Sequence, residues 1–196
     1  MILIVAVIFG LVAGLLRAWL TGHTYQPPNL KYIWLVFLAY IPQFFAFYLP
    51  VTRSVFPDSW IPVTLIVTQL ILLVFVWSNR TQPGFWLLGL GLFLNFLVMM
   101  LNGGMMPLSP ENANKLIPAG VTVDLQIGQR VGSGKDILLP ITQTRLWFLA
   151  DTFTLPQWLG YPLAFSTGDI VLSIGAFWLF WSFGKPRKST LEDFIC

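Results

Sequence analysis

The sequence holds one cysteine and one histidine, and only 10% of its 196 residues are charged. A lone cysteine, Cys196, excludes an internal disulfide and a cysteine-bound cluster. A lone histidine, His23, excludes a multi-histidine haem or metal site, and in a loop it reads as solvated. The net charge of +3 is too small to mark a nucleic-acid partner. No metal and no cofactor are expected. The chemistry of such a chain must come from carboxylates, amides, hydroxyls and packing surfaces.

What the chain has in abundance is apolar surface. Residues of apolar type make up 56% and aromatic ones 16%, too hydrophobic for an ordinary soluble domain. The length allows about five spans of ~20 residues and one polar excursion. The expected fold is all-α: a polytopic integral membrane protein of five transmembrane helices with a small extracytoplasmic segment of short helices and a hairpin. Residues 1–101 form a four-span bundle, 102–165 the extracytoplasmic segment, 166–184 the fifth helix and 185–196 a cytoplasmic tail. The spans read as Met1–Leu20, Tyr32–Leu49, Ile61–Trp77, Phe85–Leu101 and Ala164–Phe183.

Met1–Leu20 lacks a positive start and reads as a retained span, not a signal peptide. Its Ala6, Gly10, Gly14 and Ala18 recur every fourth residue, a stripe that lets another helix approach closely. Pro42 and Gln43 kink the second span. Asn95, Met99 and Asn102 share one face of the fourth, and amides in lipid need partners, so that face looks inward. Arg17, Lys31, Arg80 and the cluster Lys185, Arg187, Lys188 fall on one side by alternation, which makes that side cytoplasmic. The N-terminus is then outside and the C-terminus inside; Arg53, in a short outer loop, runs against this pattern.

In the outer segment, Ser109 before Pro110 and Glu111 predict a short helix over Pro110–Leu116. Val121–Ile127 alternates like a strand, and Gly128–Gly134 turns it toward Ile137–Leu139 as a hairpin. Thr142–Ala150 has helical spacing, and Trp147, Phe153, Trp158 and Tyr161 suit a membrane interface. Gly132-Ser-Gly-Lys135 is a turn; a phosphate-binding loop needs a glycine at Gln129 and a hydroxyl at Asp136.

Three features could carry chemistry. Asn102-Gly-Gly-Met-Met-Pro107 reads first as a helix stop, and second as open backbone N–H groups that could hold a substrate carbonyl. Ser166-Thr-Gly-Asp169 fits a capping box, and Asp151 could pair with Arg145 or cap a turn. Taken together, Asp151 and Asp169 both belong to the outer surface, and Pro156, Gly160 and Pro162 between them can fold the chain back on itself. Two close carboxylates cannot both ionise, so such a pair can act as acid and base on a water attacking a carbonyl.

The patterns N-G-G-M-M-P, T-R-L-W-F-L-A-D and F-S-T-G-D-I-V-L-S-I-G resemble an uncharacterised family of bacterial polytopic membrane proteins, which implies the bacterial cytoplasmic membrane. Phe165–Asp169 and the following Ile170–Gly175 are also similar to a segment of lipoprotein signal peptidases. Ser166 and Gly168 stand where those enzymes have asparagine and alanine. That resemblance implies Asp151 and Asp169 as a metal-independent aspartate dyad acting on a membrane-anchored substrate. Asn102, Gly103 and Gly104, with Asn95, Arg145 and Ser166, would then bind the substrate. The alternative is a non-catalytic accessory subunit of an energy-converting or photosynthetic complex. Its partners would be the bilayer and other membrane subunits, quinones or pigments, with the small-residue stripe facing a neighbour.

Overall fold

A computed structural model of the chain describes residues 2–47, 57–117, 123, 125–132, 134–156, 160 and 162–184. Among these are the helices α1 (Ile2–Thr21), α2 (Trp34–Phe47), α3 (Ile61–Ser78), α4 (Phe85–Leu101), α5 (Pro110–Leu116) and α6 (Thr167–Ser182). The short strands are β1 (Met106–Leu108), β2 (Asp136–Leu138), β3 (Phe153–Thr154) and β4 (Ala164–Phe165). The chain is therefore mostly helical. The end of the expected second span, Arg53, Val121, Thr122 and Asp124 of Val121–Ile127, Trp158, Tyr161 and the basic tail lie outside the described residues.

Two helices, α1 with 20 residues and α3 with 18, are long and apolar enough to cross a membrane. Only 17% and 28% of their apolar windows are buried, so their hydrophobicity is not spent on a protein core. The apolar helices α2, α4 and α6 are shorter. Large side chains such as Phe9, Trp19, Phe37, Val63 and Phe93 stand exposed on the helix flanks.

The long helices pack in the order α1, α6, α4, α3, α2. Directions follow from residues that meet. Gly10 lies against Phe177 and Gly14 against Phe180, so α1 and α6 run parallel. Gly91 lies against Gly168 and Leu172 while Gly84 meets Gly175 and Leu179, so α4 and α6 run antiparallel. Gln43 donates to Thr68 at 2.6 Å, and Ala46 shares a cluster with Ile61 and Leu65, so α2 opposes α3. Helices α1, α3 and α6 thus run one way and α2 and α4 the other.

Glycine makes both of α6's contacts close. A Cβ on Gly91 would sit 2.6 Å from the Gly168 carbonyl oxygen, and one on Gly10 would sit 2.7 Å from that of Phe177. Small residues are what allow backbones to approach where no water is displaced to drive association. The stripe on α1 is therefore used within the chain: Gly10, Gly14 and Ala18 are buried and Ala6 is half-buried.

Residues between α4 and α6 form a cap over one end of the bundle. Its inner cluster joins Met105, Met106, Leu149 and Ala150 to Ile61, Leu65, Val98 and Met99 of α3 and α4. The strand expected at Ile137–Leu139 is β2, but it pairs in parallel with β1, Met106 opposite Asp136. The turn that folds back on β2 comes from residues 128–131: Leu138 N–H donates to the Gln129 carbonyl and Val131 N–H to that of Asp136. Of the expected strand Val121–Ile127, the described residues Val123, Leu125, Gln126 and Ile127 are not in a strand. Thr142–Ala150 forms two single 3-10 turns, Ile141–Gln143 and Trp147–Leu149, instead of a helix. The last long helix starts at Thr167 because Ala164 and Phe165 pair antiparallel with Thr154 and Phe153, whose ring stacks on Phe165 at 5.6 Å.

Replacing Gly91 by valine should destabilise the chain by about 1–3 kcal/mol, since the new side chain must displace α6 backbone. The readout is the thermal unfolding midpoint in detergent; an unchanged midpoint would mean that α4 and α6 are not in backbone contact.

Candidate functional site

Asp169 sits in the first turn of α6 and closes a capping box. Its N–H donates to Ser166 Oγ at 3.0 Å, and its Oδ2 accepts from the Ser166 N–H at 3.1 Å. Its Oδ1 accepts from Asn95 Nδ2 at 2.8 Å, and Ser166 Oγ donates to Asn95 Oδ1, also at 2.8 Å. Asn95, Ser166 and Asp169 are thus brought together by α4 and α6. Gly168 permits this, because a Cβ there would collide with the Asn95 side chain.

Asn102, at the end of α4, uses its amide differently. Nδ2 donates to the carbonyls of Val98 and Arg145, at 2.7 and 2.9 Å, while Oδ1 accepts from the Arg145 N–H at 2.9 Å. The backbone that Asn102 holds is the chain's own. Leu146, which follows, has φ 53, a left-handed conformation that a branched side chain rarely adopts. Gly103 and Gly104, with φ 81 and 84, end α4, and the Gly104 N–H returns to the Met99 carbonyl at 2.7 Å. Gly104 lies against Pro62, and Gly103 faces open space.

Asp151 is placed by the cap. It is 1% exposed, its N–H donates to the Pro107 carbonyl at 3.2 Å, and Asn112 Nδ2 donates to the carbonyls of Asp151 and Thr152. Its Oδ2 accepts from Lys135 Nζ at 2.6 Å, and Lys135 also lies 3.4 Å from Asp136. Lys135, not Arg145, is therefore its ionic partner. Its Oδ1 is buried with no hydrogen-bond partner. A buried carboxylate oxygen without a donor is costly, and the cost falls on the ionised form.

Burial accordingly raises the Asp151 carboxyl to about 7 against the opposing pull of Lys135, with the charges of Asp136 and Asp169 pushing the same way. Lys135 is held above its ordinary value: burial lowers it, but Asp151, Asp136 and Asp169 more than offset that. Asp151 and Asp169 are within electrostatic reach of one another, although the bonding partners of each are different residues.

Asp151 also lines a cavity of 200 Å³, together with Ser109, Glu111, Asn112, Thr144 and Trp147. Asp169, Asn95 and Ser166 are not among its walls. The arrangement offers an acid–base group at neutral pH, a second carboxylate from Glu111, and hydroxyls from Ser109 and Thr144 on one small concave surface.

One protein family's sequence pattern matches residues 28–181, from ahead of α2 to the last turn of α6. The chain belongs to this family of unknown function, DUF5317. No curated protein and no solved structure matches it. In this DUF5317 chain, two contributors escape sequence reasoning, Lys135 and Glu111. Lys135 stands in a stretch that reads as a turn, and the only signal for it is the rule that a buried carboxylate needs a cation from somewhere in the segment. Glu111 reads as a helix-start residue, which it also is.

Two outcomes are expected. An unfolded aspartate titrates near ~3.9, so with its carboxyl at about 7 the folded chain holds the extra proton between those values. The contribution of Asp151 to stability should therefore fall as pH rises through that window and level off above it. Lys135→Met removes the neighbouring ammonium and should move the midpoint higher still, measured as the carboxyl infrared band that disappears in Asp151→Asn; a midpoint that stays put argues against the ion pair. Separately, Asn102→Ala leaves the N–H and C=O of Arg145 without partners and should cost about 2–3 kcal/mol. Faster hydrogen exchange at Arg145 and Leu149 would report it.

Proposed function

We propose that the chain spans the bacterial cytoplasmic membrane five times, its cap outside, and that the cap hydrolyses a membrane-anchored substrate with Asp151 as the acid–base group. The alternating directions of α1, α2, α3, α4 and α6 support the five crossings. So does the placement of Arg17, Lys31 and Arg80 at the ends of α1, α2 and α3 away from the cap. Helices shorter than ~20 residues cross by local thinning of the bilayer or with flanking residues at the interface.

The single observation that carries the hydrolase reading is Asp151: buried, bordering a cavity, one oxygen on Lys135 and the other without a donor. A group that exchanges its proton near neutral pH is suited to general acid–base work. In the proposed step, water adds across an acyl–nitrogen or acyl–oxygen bond. Asp151 as carboxylate takes a proton from the water whose oxygen bonds to the acyl carbon, and as the resulting carboxylic acid gives it to the leaving nitrogen or oxygen as that bond breaks. Asp169 acts on Asp151 through its charge while its own oxygens hold Asn95 and the start of α6. The likeness of Phe165–Asp169 to lipoprotein signal peptidases adds to this reading.

The accessory-subunit alternative loses part of its motivation, because the stripe Gly10, Gly14, Ala18 is covered by α6 of the same chain. It retains the exposed aromatic flanks of α1 and α2, including Trp19, Trp34 and Phe37, as surfaces for a membrane partner.

The test is hydrolysis of lipid-anchored peptide and ester reporters by the chain reconstituted in liposomes. Asp151→Asn should lower turnover by roughly 10²-fold or more, and Asp169→Asn should lower it less while shifting the pH profile. Undiminished turnover by Asp151→Asn would falsify the assignment. Absence of turnover together with a stoichiometric partner after mild extraction would favour the accessory role.

A further inference from the structure

At the end of the bundle opposite the cap, the turn between α3 and α4 opens into a groove of 340 Å³ on the flank of that helix pair. Leu73 and Val76 of α3 and Leu90 and Phe93 of α4 line it, with Arg80 at the turn. Between Phe85 and Phe93 the groove follows α4 for about 12 Å at ~1.5 Å per residue. An apolar trough with a cation at one end has the polarity of a phospholipid: charged head, hydrocarbon chain.

We propose that this groove holds an acyl chain of an anionic glycerophospholipid whose phosphate is bound by Arg80. The inference rests on the reading of α3 and α4 as membrane spans. Arg80 is set for the task. Its guanidinium lies over the Trp77 ring, 4.7 Å from the centroid, and Nη1 donates to the Trp77 carbonyl at 3.0 Å. That fixes the group at the head of the groove while leaving other N–H donors for a phosphate. The ion pairs among the described residues involve Lys135 and leave Arg80 without a carboxylate.

Two tryptophans flank the same end. Trp77 and Trp86 meet edge to face at 6.5 Å and are 62% and 68% exposed, as befits rings at the level of lipid headgroups. In the proposed topology this is the cytoplasmic leaflet, where anionic lipids meet basic pockets between spans. Gly89 gives the groove its depth: a Cβ there would come within 3.0 Å of Val76 Cγ1, so a larger side chain fills the trough.

The experiment is native mass spectrometry of the detergent-purified chain with equal amounts of phosphatidylglycerol and phosphatidylcholine carrying the same acyl chains. Wild type should favour phosphatidylglycerol by about five-fold, the effect of one cation near the headgroup. Arg80→Gln should bring that ratio to about one, and Gly89→Leu should reduce adducts of both lipids. Equal adducts in wild type, or a preference that survives Arg80→Gln, overturn the proposal. So does a dimer that Gly89→Leu converts to monomer with lipid adducts unchanged, which would assign the groove to a second copy. Alkaline extraction of membranes separates this from the parent reading. Release of the chain overturns the spans themselves, whereas retention without headgroup preference overturns the groove alone.

Discussion

Backbone groups buried beyond a helix end must find partners, and in this chain asparagine side chains supply them. Four asparagines, Asn79, Asn95, Asn102 and Asn112, are buried. Asn79 closes α3 and Asn102 closes α4, at opposite ends of the bundle, by the same device. Each donates to the carbonyl four residues back, Phe75 or Val98, and pairs in both directions with the peptide of a distant loop residue, Lys31 or Arg145. The residue after each clamped peptide, Tyr32 or Leu146, is left-handed, and among the described residues no other non-glycine is. A primary amide can do this because it carries donor and acceptor side by side, as a peptide does. An aspartate could not donate, and a leucine would take this partner from three backbone groups. The docking of the long loops onto the helices depends on these clamps.

Much of this is legible in the residues, and the reasons for the rest are physical. The apolar runs, the start of α5 at Ser109 and Pro110, and the capping box at Ser166 and Asp169 are local signals, read from spacing alone. The pairing of β1 with β2 is not local: three-residue strands have no periodicity to recognise, and parallel partners need no turn between them. Thr142–Ala150 has helical spacing, yet the clamp on Arg145 breaks it at Leu146, a long-range contact that overrides a short-range preference. For the candidate site, sequence finds the two aspartates but not the partner of Asp151, since the choice among Lys135, Arg145 and the other cations is made by folding. Asn95 shows the reverse case. Its inward face is readable from helical spacing, and its partners, Ser166 and Asp169, lie a whole segment away.

The two carboxylates end in opposite circumstances. Asp169 has both oxygens satisfied by neighbours that also define the start of a helix, a stable arrangement with nothing left over. Asp151 has one oxygen satisfied and one not, and Asp136 Oδ1 nearby is likewise buried without a hydrogen bond. Natural chains are locally consistent except where a site requires otherwise, so these oxygens of Asp151 and Asp136, two carboxylates beside Lys135, mark a place where stability has been given up.

The glycine contacts between α4 and α6 bear on the cap as well as on the bundle. Because Gly91 touches Gly168, the helix that leaves the cap is in backbone contact, from its first turn, with the middle of the helix that enters it. In topological terms α4 and α6 are a helical hairpin, and everything between Leu101 and Thr167 is its connection. The entropy of closing such a connection grows only with the logarithm of its length. The length of that connection therefore costs the bundle little, and a cap of different size could be exchanged at these two stems so long as it covers Ile61, Leu65, Val98 and Met99 as the present one does.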